Sequence, residues 1–361
     1  MKRLWSIVMV ELTNSCNFNC NYCPTDTQKR TKKHMPRELW HKVLTELGNE
    51  NLCETVFFHL LGEPLLHKEV FEAIEYANRL DLSVSLYTNA ALLDSKTMNS
   101  LIHSLKKGRV VISLQDIDPG SFKQRSRERV SWEQYLEQIK EFISRSSRMG
   151  NIIPVQVHCM IDIRGLGWNI IKIIKEQHRI QRYYESWFNG NKDKDLPRVN
   201  IFDPSGVYPL PAENTSFFIK HMGTWDNMHI PSTMEVLTRE TGFCQLMTDT
   251  FAVLSNGVCT YCCCDYEGDL MLGNAYDQTL QEIYFGSKAT RIREEGRKGR
   301  MIENRCQICR GSLVYKKTGK PVPSRNLITE FYLLKTHLRQ YGVTNTIRKV
   351  KENLQRRFRI D

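Results

Sequence analysis

Three cysteines, Cys16, Cys20 and Cys23, fall within one short loop directly after an apolar run, Ser6 to Leu12. This Cys-x3-Cys-x2-Cys spacing constrains the fold more than any other feature. Soft thiolates this close on one loop suit iron–sulfur coordination and can wrap one face of a cubane. A cubane has four irons, so three protein ligands leave one iron free to bind a small molecule through nitrogen and oxygen. The alternative is a zinc knuckle, which would normally need a fourth ligand to close its tetrahedron.

The other cysteines extend the same argument. Of twelve in 361 residues, Cys244, Cys259, Cys262, Cys263, Cys264, Cys306 and Cys309 crowd into one later segment, and only Cys53 and Cys159 stand alone, read as core. No small-residue cleavage site follows the basic N-terminus, and Glu11 interrupts its apolar run. No apolar stretch approaches the roughly 20 residues that span a bilayer. A soluble, cytoplasmic protein is expected, in which a reducing environment keeps thiols for metal binding or catalysis rather than for disulfides.

From Ser6 to about Glu176 short β-branched runs alternate with amphipathic stretches, the pattern of strand–helix units around a parallel sheet. Strands are predicted at Ser6 to Leu12, Thr55 to Leu60, Leu82 to Thr88, Val110 to Leu114 and Pro154 to Ile161. Helices are predicted at Pro36 to Leu47, Lys68 to Leu80, Asp94 to Leu105, Trp132 to Ser147 and Trp168 to His178, with Pro36 at a first helical position and Asp94 as an N-cap. A sixth strand is predicted at Arg198 to Phe202. Residues 203–243 lack clear periodicity. A strand at Phe251 to Leu254, a turn at Asn256-Gly257 and a helix from Thr279 onward are predicted in the cysteine-rich segment.

The first cysteine loop, with Tyr22 in the x-aromatic-Cys position, resembles the defining motif of the radical S-adenosylmethionine (SAM) superfamily. Further segments extend the resemblance in order. Leu61-Gly62-Glu63-Pro64 is similar to the family's Gly-Gly-Glu-Pro, with Leu61 where the first Gly usually stands. Tyr87-Thr88-Asn89-Ala90 is similar to its Thr-Asn-Gly, and Ile112-Ser113-Leu114-Gln115 to its Ser-containing strand end. The resemblance implies a partial (β/α)6 radical SAM barrel of the α/β class. It also implies a catalytic 4Fe-4S cluster on Cys16, Cys20 and Cys23, with SAM contacts from Tyr22, Gly62, Glu63, Asn89 and Ser113. The cofactors carry the hard chemistry, reductive cleavage of SAM to a 5′-deoxyadenosyl radical that abstracts hydrogen.

The later cysteines resemble the SPASM and shorter twitch extensions of this superfamily. Cys244, twelve residues, Gly257, four residues and Cys262 begin the pattern, and Cys306-Gln307-Ile308-Cys309 completes it. A full SPASM domain has a further cysteine six residues after that pair, where Tyr315 stands here. The resemblance therefore implies one auxiliary 4Fe-4S cluster, on Cys244, Cys262, Cys306 and Cys309. Cys259, Cys263 or Cys264 is the alternative to Cys262, and a zinc ribbon on Cys259, Cys262, Cys306 and Cys309 is the bland reading. Cys263 and Cys264 are also candidate hydrogen-atom donors.

The expected organisation is a radical SAM core at 1–205, a linker or substrate-covering insertion at 206–241, a small twitch/SPASM-like domain at 242–311 and a basic helical tail at 312–361. That tail holds 12 Lys or Arg against 3 Asp or Glu, most of the chain's net charge of +11. Leu327, Phe331, Leu334 and Leu338, then Ile347, Val350, Leu354 and Phe358, recur at helical spacing beside Arg348, Lys349, Lys351, Arg356, Arg357 and Arg359. Such a helix packs on the body or docks on an anionic membrane surface or an acidic partner. No nucleic-acid motif accompanies it.

Within the resembling families, only fifteen residues before Cys16 leave no room for a peptide-recognition domain, and one auxiliary cluster resembles dehydrogenases of carbinols. The expectation is oxidation or epimerisation of a sugar or aminocyclitol-like small molecule, with reducing electrons from a flavodoxin or ferredoxin. Radical modification of a peptide or protein side chain is the second reading, and a non-catalytic iron–sulfur scaffold the third.

Overall fold

The alternation of β-branched runs and amphipathic stretches folds as alternating strands and helices. The computed structural model describes residues 3–127, 129–148, 153–162, 169–188, 196–203, 206–222, 227 and 229–322. β1 (Ile7–Val10), α1 (Arg37–Asn49), β2 (Thr55–Phe58), α2 (Val70–Arg79), β3 (Ser83–Thr88), α3 (Ser95–Ser104) and β4 (Gly108–Gln115) follow in order, then α4 (Pro119–Ser126), α5 (Trp132–Arg148), β5 (Val155–Ile161) and α6 (Ile170–Ser186). Asp94 caps α3 by accepting from the Thr97 amide at 2.7 Å, as expected. Pro36 stands at the N-cap of α1, one residue earlier than expected. Helix α4 was not predicted; Pro119 and the Asp118 cap, which accepts from the Ser121 amide, are its sequence signals.

β1 to β5 pair in parallel, each with its successor. Strands joined through helices on one side of a sheet must hide that side completely. Val56, Phe58, Val84, Leu86, Val110 and Ile112 are fully buried accordingly, as are Trp40, Leu44 and Leu47 of α1, and Ala73, Ile74 and Ala77 of α2. The opposite face is different: Phe57, Tyr87, Arg109, Ser113, Gln156 and His158 are only half-buried.

Beyond β1, on the side away from β2, β9 (Thr250–Val253) joins in parallel, and β10 (Val258–Thr260) and β11 (Gly273–Asn274) follow antiparallel. The expected turn is present, with Gly257 at φ +86°, where a side chain would also strike Asn274 and Tyr276. Between β5 and β9 lie β6 (Val207–Pro209), β7 (Thr215–His221), β8 (Met234–Leu237) and the short α7 (Leu246–Asp249). After β11 come α8 (Leu280–Phe285), α9 (Ser287–Arg297), α10 (Asn304–Arg310) and β12 (Ser312–Tyr315). Thr279 and Glu282 form a capping box at the start of α8.

Two compact units result. The first holds residues 1–159, 209–217 and 245–293; the second holds 160–208, 218–244 and 294–361. Residues 245–293 join the first unit because β9 pairs with β1. In the second unit β12 and β8 form a separate antiparallel pair.

One expected strand does not form. Arg198 to Phe202 is irregular, and its backbone donors are taken by side chains instead of a ladder. The Val199 and Ile201 amides donate to Oε1 of Gln181 and Gln177 on α6, and the Asn200 amide to the Tyr208 hydroxyl. Strand β7 follows β5 in the sheet order in its place. Its alternately buried Thr215, Phe217 and Ile219 give a period-two pattern within the range 206–241 that was expected as an insertion or linker. The apolar and basic positions expected to make a tail helix, Leu327 to Arg359, lie outside the described residues.

Candidate active site

The loop after β1 is held by buried polar groups whose partners lie far apart in sequence. Glu11 receives both terminal nitrogens of Arg30, at 2.6 and 2.8 Å, together with the amides of Leu61 and Ser255. Asn14 accepts from the Lys33 amide at 2.7 Å and donates to Gln28 and to the Thr31 carbonyl. A buried charge is tolerated only when so satisfied. The loop is therefore fixed before any cofactor enters.

Each of the three thiols on it has hydrogen-bonding neighbours. Cys16 Sγ accepts from the Phe18 amide at 3.4 Å and from Asn89 Nδ2 at 3.7 Å. Cys23 Sγ lies 3.0 Å from the Thr25 hydroxyl. Cys20 lies beside the Tyr22 hydroxyl and the Arg125 guanidinium, which draw its pKa down against the larger upward push of burial. Burial likewise pushes the metal-free thiols of Cys16 and Cys23 up to about 12 and about 11. Loading with iron must therefore displace protons.

The segment resembling Gly-Gly-Glu-Pro lies against this loop. Gly62 has φ +76°, and a Cβ there would stand 2.2 Å from the Thr13 carbonyl oxygen, so glycine is required. The next residue donates its amide to the Ser15 carbonyl at 2.8 Å. Leu61 turns its side chain into the core. Glu63 is buried, accepting from the Thr88 hydroxyl at 2.8 Å, the Asn89 amide at 2.7 Å and the Leu65 amide at 3.1 Å. Burial nevertheless raises its pKa to about 7, against the lowering by those donors.

Asn89 ties the end of β3 to the loop by donating to Asn17 Oδ1 at 2.7 Å, and the Tyr135 hydroxyl donates to the Asn89 carbonyl. Ala90 adopts φ +64° where the family's motif has Gly. Ser113 is half-buried near the end of β4, within the register irregularity between Ile112 and Gln115.

Arg125 was not anticipated. It is buried, pairs with Asp116 at 2.6 Å, donates to the Leu114 carbonyl at 2.6 Å, and stacks over Phe18 with its guanidinium carbon 4.8 Å from the ring centroid. A cation thus sits against the cysteine loop, supported by the end of β4. Only the pairing of Asp116 with a basic residue on an unpredicted helix could have signalled it.

The later cysteines separate by environment. Cys259 is fully buried in β10, with its thiol donating to the Gly257 carbonyl at 3.6 Å, and burial raises its pKa far above the ordinary thiol range. Cys53 and Cys159 are also buried. Cys262, Cys263 and Cys264 follow β10 in the first unit. The Cys264 thiol interacts with both neighbours, and its hydrogen bond to Cys262 lowers the Cys262 pKa. In the second unit Cys306 and Cys309 are three apart on α10, hence on one face. The segment leading to Cys244 packs along that helix: the Arg239 amide donates to the Gln307 carbonyl at 3.1 Å, and Gly242 abuts the Arg310 side chain.

Among the described residues no three His, Cys, Asp or Glu side chains converge as ligands of one metal ion. A cubane instead places each thiolate on a separate iron. Three half-buried thiols on a rigid loop, each beside hydrogen-bonding groups, fit such a cluster.

Comparison with known proteins agrees with this chemistry. Residues 10–157 match the radical SAM superfamily, and residues 244–310 match SPASM, the iron-sulfur cluster-binding domain. The chain belongs to the radical SAM superfamily and carries a SPASM-type domain; its cofactors are SAM, a 4Fe-4S cluster and an auxiliary cluster. Over 106 residues it is 32% identical to the S-adenosyl-L-methionine-dependent 2-deoxy-scyllo-inosamine dehydrogenase of Niallia circulans, covering 28% of this chain and 42% of that one. Over 114 residues it is 30% identical to the PqqA peptide cyclase of Bradyrhizobium diazoefficiens, covering 31% and 29%. The match thus spans less than half the length of either relative. The crystal structure of BtrN in complex with AdoMet and 2-DOIA shares the fold, with a TM-score of 0.51 and 15% identity over 83% of this chain and 89% of that one. No helix among the described residues is long and apolar enough to cross a membrane.

Proposed function

We propose that this radical SAM enzyme oxidises a carbinol carbon of a sugar or aminocyclitol-like small molecule. The observation that carries the reading is the cysteine set of the C-terminal region. Beyond Cys309 the chain enters β12, where exposed Tyr315 occupies the position of a further ligand, so the thiols suffice for one auxiliary cluster. Similarity to an aminocyclitol dehydrogenase supports it. When bound, the cofactors supply a 5′-deoxyadenosyl radical and a nearby one-electron acceptor.

The chain's own residues then have distinct tasks. Cys16, Cys20 and Cys23 hold the first cluster. Gly62, Ser113 and Tyr22 border SAM, while Glu63 and Asn89, whose side chains are already engaged, position the loop around it. Cys244, Cys262, Cys306 and Cys309 hold the auxiliary cluster. Cys262 is preferred to Cys259, which is committed to the core, and to Cys264, whose thiol supports Cys262. Electrons for SAM cleavage come from a flavodoxin or ferredoxin.

Two other reactions have specific support. Cys263 and Cys264, adjacent just after β10, are the candidate hydrogen donors of an epimerisation. The resemblance to a peptide cyclase supports peptide modification. The test is anaerobic turnover with 2-deoxy-scyllo-inosamine and related cyclitols deuterated at carbinol carbons. Deuterium in 5′-deoxyadenosine with a product that has lost the carbinol deuterium and one further hydrogen supports oxidation; an isomer of the substrate with solvent hydrogen in place of that deuterium identifies epimerisation; no transfer from any carbinol sinks both.

A further inference from the structure

The open face of β2 to β5 carries a group of side chains that the cluster and SAM sites leave unused. Partners in register on neighbouring strands point to the same side. Phe57, Ser85 and Arg109 therefore form one row, and Tyr87 and Val111 stand in the next. Tyr87 immediately precedes Thr88-Asn89, and His59 comes shortly before Gly62, so this patch adjoins the loops around the first cluster. The Tyr87 ring stacks on His59, with centroids 4.4 Å apart and planes at 24°, and lies 5.4 Å from Phe57 and 6.3 Å from His158.

Arg109 is the cation of this patch. Its guanidinium carbon lies 5.7 Å from the Phe57 ring centroid, beside the Tyr87 hydroxyl. Arg30 and Arg125, the buried arginines of the cysteine loop, each bind a carboxylate. Among the described residues Arg109 has no carboxylate partner, and its buried Nε has no hydrogen-bond partner. A partly desolvated guanidinium without an anion leaves binding free energy unused, and its planar fork suits two oxygens of a carboxylate or phosphate. Burial lowers the His59 pKa to about 4, so His59 is neutral at physiological pH and adds no charge of its own.

We propose that Arg109, with Tyr87 and His59, forms the substrate-binding floor of the first unit, and that the substrate carries an anionic group, a carboxylate or a phosphate ester, seated on Arg109. The proposal rests on the small-molecule reading above and deepens it: the polyol is acidic or phosphorylated, and His59 supplies a neutral hydrogen-bonding nitrogen to its hydroxyls.

The test is calorimetric binding to the anaerobically reconstituted holoenzyme with SAM and no reductant, using glucose 6-phosphate, glucuronate and glucose as probes. One charged probe is expected to bind at least about tenfold more tightly than glucose, the size of a hydrogen-bonded charge contact. Which one binds separates phosphate from carboxylate. Arg109→Gln should bring that probe to the level of glucose, and Arg109→Lys should retain part of the preference. Iron content and circular dichroism check the fold. If the Gln variant does not fold, Arg109→Lys and Tyr87→Phe must each weaken the charged probe several-fold without weakening glucose. Equal binding of all three probes, binding of none, or a preference that is undiminished in the variants would overturn the proposal. Since no reductant is present, this result is independent of which bond is later broken: charged binding without the product of oxidation would overturn only the oxidation reading.

Discussion

The two cysteine regions are built in opposite ways. Cys16, Cys20 and Cys23 occupy one loop of one compact unit, and Glu11, Asn14, Gly62 and Asn89 fix it from four directions. The cysteines proposed for the auxiliary cluster are instead scattered along the sequence, from Cys244 through Cys262 to Cys306 and Cys309. A site preformed by protein hydrogen bonds should survive changes elsewhere, whereas a site gathered from distant stretches of the sequence depends on its metal for cohesion.

The largest effect should come from breaking the second region. Cys306→Ala should lower iron from about eight to about four per chain, abolish substrate turnover and leave reductive SAM cleavage in place. If SAM cleavage also disappears, the two regions are not independent. Within the first region, Asp116→Ala leaves Arg125 charged and buried without its partner. It should destabilise the fold by about 4 kcal/mol, measured by urea unfolding, and an effect below about 1 kcal/mol would remove Arg125 from the account of the loop.

Glu63 sharpens the comparison through pH. Its folded pKa, about 7, lies above the unfolded value of 4.5, so the folded state binds the extra proton between them. The stabilisation is full below about pH 4.5 and is lost as pH rises through about 7. SAM-free protein should lose on the order of 3 kcal/mol across that window, and Glu63→Gln should flatten the dependence. Equal pH profiles would show that the hydrogen bonds to the carboxylate fully offset burial. The smallest effect belongs to Cys259→Ala, about 1 kcal/mol from a small core cavity with iron unchanged. Loss of half the iron there would move the ligand assignment from Cys262 to Cys259.

Much of this was legible in the sequence because local signals and the fold agree. The strands from Ile7 to Ile161 have apolar β-branched runs, and the helices between them have amphipathic spacing. Arg198 to Phe202 misled because an apolar run says nothing about where its amides go, and here Gln177, Gln181 and Tyr208 take them. Arg125, Glu11 and Arg109 were not legible for a related reason. A charged residue reads as solvated until the fold supplies or withholds its partner, and those partners lie 9 residues away for Arg125 and 19 for Glu11.

The central claim is that the first loop alone generates the reactive chemistry. It is tested most directly by iron and sulfide content with 5′-deoxyadenosine release after dithionite reduction, comparing the wild type with the combined Cys16→Ala, Cys20→Ala and Cys23→Ala variant. The account predicts about eight irons falling to about four with release abolished. Zinc in place of iron, or release that persists without these cysteines, would contradict it.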